Sequence, residues 1–268
     1  MAAEQHHQSS YKPYTYTPKP RGKVWYTADL HIDDYGVVKR RGFFKSSNFT
    51  KNQVPDLDRH NAYLAEGWDL TVEENDTVFV LGDISRYGEQ IALRWFDRRP
   101  GRKILVPGNH DPVHPRKEEF WKKMPEWLKI FDSIQPYMVR HLEYRDVLLS
   151  HFPYWSYGDG PDRDTARYEQ FRLPDLGLPL LHGHTHGTET AHGNMFHVGV
   201  EAHDFWPVAE AEIIEWLKTQ PEQEKFAPVV SKTAGKTFEP YNGYRAGGTS
   251  LDTKSPWKKA EFDKPKVN

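Results

Sequence analysis

The stretch LVPGNHDP, residues 105–112, runs from an apolar segment through a Pro/Gly-marked turn into Asn109, His110 and Asp111. Turn chemistry explains the glycine and the asparagine but not the histidine beside them. The pattern recurs along the chain. VWYTADLH (24–31) ends in Asp29 and His31, VFVLGD (78–83) in Asp83, and VLLSHFP (147–153) leads to His151. LPLLHGHTHG (178–187) delivers His182, His184 and His186.

The apolar runs at 23–29, 77–82, 103–107, 147–150 and 178–182 have strand length and lack clean polar alternation, as strands buried on both faces do. Some of the segments between them are helical. Leu57, Leu64 and Trp68 share one helical face after Asp56, and Phe120, Met124, Trp127, Leu128 and Phe131 recur at spacings of three and four. Pro125 is expected to break or restart that second helix. YMVRHLEYRDVLLSH (137–151) reads as two strands around a tight Arg145-Asp146 turn, and 194–200 and 208–214 supply two more strands. The sum is a mixed α/β body, two sheets packed together with helices outside.

In such sheets ligands bind in the crevice outside the carboxyl ends of the strands, where loops converge on a rigid support. Five strand ends bearing Asp, Asn and His would make one cluster of oxygen and nitrogen donors. A His-x-His pair on extended backbone puts both rings on one side, and three alternating histidines make a costly cationic stripe unless they are neutral and coordinated. Cysteine is absent, which excludes disulfides and thiolate sites. The remaining donors suit borderline or hard divalent ions, and they are too many for one ion. Two ions roughly 3.5–4 Å apart, bridged by a carboxylate and a solvent molecule, would use them all and clamp an in-line displacement at phosphorus. Asp83, on a central run, is the natural bridge.

Composition sets the bounds. A chain of 268 residues buries a substantial core, and a net charge of −2 gives no global pull toward polyanions or anionic membranes. Mean hydropathy is −0.82 with 14% aromatic residues, and no apolar run approaches the roughly 20 residues of a membrane helix, so the cytoplasm is the default address. Residues 1–22 read as an extended arm and 219–268 as a Pro/Gly/Lys-rich tail, leaving 23–218 as the single domain.

Asp29-x-His31, Gly82-Asp83, Gly108-Asn109-His110-Asp111, His151 and Gly183-His184-x-His186 resemble, in order and spacing, the calcineurin-like metallophosphoesterases across residues 23–215. The segment from Arg40 to Asp83 further resembles small bacterial and phage-encoded members, which would place the chain in a host cytoplasm. The resemblance implies an α/β (α+β) fold of four layers, a two-sheet β-sandwich flanked by helices. It implies Asp29, His31 and His186 on a first metal, Asn109, His151 and His184 on a second, and Asp83 bridging; manganese is favoured, with iron, zinc and nickel as alternatives. His110 would contact the phosphate and protonate the leaving alkoxide while a metal-bridging hydroxide, its pKa lowered from ~15.7 towards ~7, attacks in line. Many members carry an aspartate three residues after the bridge to orient that histidine. Arg86 stands there in this chain, so either Asp111 or another carboxylate takes over or His110 is less well poised, and Arg86 is a candidate phosphate contact beside a surface or ion-pair role.

The stretch 152–177 holds Tyr154, Trp155 and Tyr157 with Arg163, Arg167 and Arg172, a composition able to stack a base and steady a phosphate. A surface loop whose aromatics pack on the body is the other reading of this stretch. Small family members with compact caps are similar to phosphodiesterases of cyclic nucleotides, so the resemblance implies small phosphodiesters as substrates, 2′,3′-cyclic nucleotides foremost. A nuclease guided by the basic tail is the runner-up, and a non-catalytic scaffold the third reading. Neither a membrane partner nor an oligomeric state is indicated.

Overall fold

A computed structural model describes residues 22–45, 53–159 and 167–221. Nearly all of the expected N-terminal arm and C-terminal tail, and Arg163, lie outside these residues. In chain order the elements are β1 (Val24–Thr27), α1 (Tyr35–Arg40), α2 (Leu57–Thr71), β2 (Thr77–Val80), α3 (Glu89–Asp97), β3 (Arg102–Leu105), α4 (Phe120–Trp127) and β4 (Ser133–Ile134), followed by β5 (Met138–Leu142), β6 (Arg145–Leu149), β7 (Leu180–His182), β8 (Ala191–His192), β9 (Met195–His197), β10 (Val208–Ala209) and α5 (Glu210–Thr219).

Two five-stranded sheets form, ordered β10-β1-β2-β3-β4 and β5-β6-β7-β9-β8. The runs β1 to β4 pair in parallel, as do β6, β7 and β9, while β10, β5 and β8 are antiparallel edges. Within β2 the side chains alternate between two cores. Phe79 joins Tyr26, Ile104, Val147, Leu149, Leu181 and Phe196 between the sheets, whereas Val78 and Val80 pack with Leu64, Trp68, Phe96 and Trp127 from α2 to α4 and with Phe131 just after α4. Both faces are apolar because both are covered, and burying each large side chain contributes about 1.5–3 kcal/mol. Over β7, a third cluster of Tyr154, Leu180 and Met195 is packed by Leu148, Tyr157 and Leu173. No described helix is long and apolar enough to cross a membrane.

This is the expected architecture, with three local corrections. Residues 208–214 are not a strand: only Val208 and Ala209 pair, and the helical spacing of Ile213, Trp216 and Leu217 takes over, burying one face of α5 in the inter-sheet core. The β5/β6 hairpin turns at Glu143 and Tyr144, both at positive φ (45° and 69°), and Arg145 already pairs with Leu142. Pro125 does not break α4, which ends two residues later, so the lost backbone bond costs little continuation.

The parallel strands point their carboxyl ends the same way within each sheet, and pairing continues into the loops beyond them. Asp29 N–H donates to Gly82 O (2.9 Å), His31 N–H to Asp83 O (3.0 Å) and Gly183 N–H to His151 O (3.0 Å). These bonds bring the donor-bearing loops together.

Candidate metal centre

Asp29, His31, Asp83, His184 and His186 all sit in the left-handed region, with φ of 59°, 49°, 52°, 73° and 55°. Residues held there cost free energy, on the order of 1–3 kcal/mol each, and persist only where their surroundings enforce them. Glycines provide the room. A Cβ on Gly108 would stand 2.2 Å from Asp83 Oδ1, and one on Gly183 would stand 2.6 Å from Asp29 Oδ2. The glycines before Asn109 and His184 are thus required by close approach.

Asp29, His31 and His186 offer ligand atoms within 4.8 Å of one another, and so do Asp83, His151 and His184. Asp83 addresses both groups: its Oδ2 is 3.6 Å from His31 Nε2 and its Oδ1 is 3.5 Å from His151 Nε2. Asn109 Oδ1 lies 3.2 Å from that same His151 nitrogen. All seven residues singled out as ligands in the sequence therefore meet at one place.

Three of the four histidines are held by a hydrogen bond at the other ring nitrogen, and the fourth, His31, has a carboxylate beside it. His31 Nδ1 faces Asp34 Oδ2 at 3.3 Å, His151 Nδ1 donates to Leu81 O at 2.7 Å, His184 Nε2 to Asp159 at 3.1 Å and His186 Nδ1 to Glu201 at 2.7 Å. Such partners fix ring orientation and leave the opposite nitrogen as a donor pair for a cation. Asp29 Oδ1 and His31 Nε2 are buried without a hydrogen-bond partner. Buried polar atoms of this kind are costly, and a divalent ion would satisfy them. The residues present fit a dinuclear cation site.

Charge agrees with geometry. Burial alone would raise the Asp83 carboxyl, but the charges of His151, His31 and His110 hold it well below the usual range. The same carboxylate overrides burial at His151 and pushes it up to about 9. Burial lowers His184 to about 4, and burial also lowers His110 to about 4 against the pull of Asp83. His182, third of the histidine stripe, is buried, donates Nδ1–H to Gly183 O (2.8 Å) and is lowered by burial to about 4. It is neutral without belonging to either ligand group.

The cleft above the centre is lined by Asp83, Asn109, His110, His31, His184 and His186, with Arg40, Arg86, Arg167 and Tyr168. Arg86 is exposed there, stacked on Tyr87 at 4.8 Å. Three expectations require correction. Tyr154 is fully buried against Leu180 of β7 and Met195 of β9 and donates its hydroxyl to Leu178 O (2.7 Å). Trp155 is 57% exposed and does not line the cleft. Asp111 does not orient His110; its carboxylate accepts from the N–H groups of Asp83, Ile84 and Gly108 at 2.9, 3.0 and 2.7 Å, bracing one loop against the other. Burial, with the charge of Asp83, raises it to about 7.

Asp34, Asp159, Glu201 and Arg41 are contacts that the sequence reading did not find. Glu201 follows β9 in a short helical turn with no motif around it, and Asp159 lies within the 152–177 stretch with no ligand motif around it. Asp34 carried the one available signal, as an N-cap whose carboxylate accepts from Gly36 and Val37.

The family model for Calcineurin-like phosphoesterase matches residues 22–188. The Gene 66 protein of Mycobacterium phage L5 is 38% identical over 193 residues, covering 67% of this chain and 86% of its own length. The Gene 66 protein of Mycobacterium phage D29 is 38% identical over 204 residues, covering 70% and 92%. A solved structure of a protein of unknown function from Aquifex aeolicus shares the fold with a TM-score of 0.51 at 24% identity, over 72% of this chain and 98% of that one.

Proposed function

The chain belongs to the calcineurin-like phosphoesterase family and is a metal-dependent phosphoester hydrolase; on that premise we propose that it hydrolyses small phosphodiesters, 2′,3′-cyclic nucleotides foremost, at a dinuclear centre. Asp29, His31 and His186 would hold one cation and Asn109, His151 and His184 the other, with Asp83 between them. When bound, the cations supply Lewis-acid stabilisation of phosphoryl charge and a water of lowered pKa. Manganese is the favoured metal, before iron, zinc and nickel, and a host cytoplasm the favoured setting.

The observation that carries the reading is the position of Asp83, whose two carboxylate oxygens each face a different ligand histidine. His110 stands on the open side of that carboxylate with its side chain 25% exposed, where it meets solvent and substrate. A bound phosphodiester anion favours its protonated form, so that it can donate to the leaving alkoxide. Arg40 and Arg86, without an ion pair among the described residues, give the cleft a cationic rim that attracts an anionic ester.

The test is elemental analysis of protein reconstituted with Mn²⁺, followed by a substrate panel of phosphomonoesters, 2′,3′- and 3′,5′-cyclic nucleotides, and oligonucleotides at two ionic strengths. Two ions per chain and fastest turnover of 2′,3′-cyclic nucleotides are expected. Monoesters as the only substrates, or steeply salt-dependent cleavage confined to oligonucleotides, would overturn the diester assignment in favour of a phosphatase or a nuclease.

A further inference from the structure

Arg41 is an arginine whose side chain is only 4% exposed. Its guanidinium donates to Asp29 O at 2.6 Å and Leu30 O at 3.0 Å. It also reaches Glu201 Oε1 through Nε (2.9 Å) and a terminal nitrogen (2.5 Å), and the same oxygen accepts from His186 Nδ1. Its remaining edge meets His60 Nε2 at 2.8 Å, and the ring of Phe205 lies 5.3 Å from its central carbon.

We propose that Arg41 is the positioning residue of the first cation site, holding Asp29, His31 and His186 in register as one unit. The inference rests on the dinuclear reading above. Asp29 and His31 both have left-handed backbone, and the carbonyls of Asp29 and Leu30 between them are the two that Arg41 binds. The strained loop is therefore pinned at its middle while the third ligand is pinned through Glu201. Helix α1 completes the clamp: its N-cap Asp34 faces His31 Nδ1, and Arg41 is its C-cap. A planar fork with five donors can serve two carbonyls, a carboxylate and an imidazole together, and a lysine ammonium cannot. His60 fits the role of neutral acceptor, since burial, and then the charge of Arg41, lowers it to about 4. The rings of the second group have partners outside this network: His151 is held by Leu81 O and His184 by Asp159, while the link between the groups runs through the His184 N–H, which donates to Asp29 Oδ2 at 2.8 Å.

The full-length protein, stripped of metal, is titrated with Co²⁺, following visible absorption and bound ion per chain, for the wild type, Arg41→Lys, Glu201→Gln and the double variant. The wild type is expected to take two ions. Each single variant is expected to lose roughly 10–100-fold in affinity at one site with the other unchanged, the range typical of lost outer partners. The double variant is expected to be no worse than the weaker single, because the two residues act through one contact. Glu201→Gln keeps the shape of the pocket and serves should Arg41→Lys fail to fold. Two ions bound with wild-type affinities in Glu201→Gln, or equal weakening at both sites, overturns the assignment. A wild type that binds fewer than two ions overturns the dinuclear reading itself, and this inference with it.

Discussion

The backbone N–H of His110 donates to Asp83 Oδ1 at 2.9 Å, while the ring Nε2 of His110 stands 3.9 Å from Oδ2 of the same carboxylate. One aspartate thus faces both ligand groups and anchors the candidate proton donor from its main chain. His110→Ala leaves that backbone bond in place and removes only the ring. Metal content is expected to stay at the wild-type value while turnover of a diester with a poor leaving group falls about 10²–10⁴-fold. An activated aryl diester needs less protonation and is expected to fall less. Equal losses on both esters would count against His110 as the acid.

Arg86 and Tyr154 were alike in the sequence as possible substrate contacts, and the structure separates them. Arg86→Ala is expected to raise KM for a diester several-fold with little change in kcat, an effect that shrinks as salt screens the cleft. Tyr154→Phe removes only the hydroxyl bond to Leu178 O, so it is expected to cost about 1 kcal/mol of stability and to leave KM unchanged. Steady-state kinetics beside urea unfolding of both variants distinguishes the roles; a KM effect in Tyr154→Phe would return that residue to the substrate site.

Buried neutral histidines make the metal-free protein sensitive to acid. Burial lowers His60 to about 4 and His114 to about 3, against roughly 6.5 when unfolded. The unfolded chain binds more protons between those values, so the contribution of these groups is full above about pH 6.5 and is lost as pH falls toward 4. The urea midpoint of metal-free protein is expected to drop across that window. His60→Gln is expected to flatten the slope, since glutamine can still accept from Arg41; an unchanged slope would mean that His60 does not carry it.

The sequence was most informative where strand and ligand coincide. Short apolar runs ending in Asp, Asn or His located the parallel strands and the seven candidate ligands, because the same few residues record both the end of a strand and the donor beyond it. The hairpin was legible but its turn was misplaced, since Glu143 and Tyr144 are not the residues that ordinarily mark positive φ. Helix α5 was read as strand because its start alternates over a few residues, too few to separate a period of 2 from one of 3.6. The outer partners of the site, Glu201 and Asp159, were not legible at all. Each reaches its histidine only through the tertiary fold, 15 and 25 residues away along the chain.

Five of the candidate ligands occupy backbone that most side chains avoid, yet Asp and His are among the few types enriched there. The conformational demand and the coordination demand thus select an overlapping alphabet. Exchange among Asp, Asn and His at these positions alters the donor chemistry with little penalty from the main chain, whereas a valine or isoleucine is refused by the backbone before any cation arrives. The loops behave as a template with a restricted vocabulary, which leaves room for the preferred ion to drift between related proteins while the scaffold stays still.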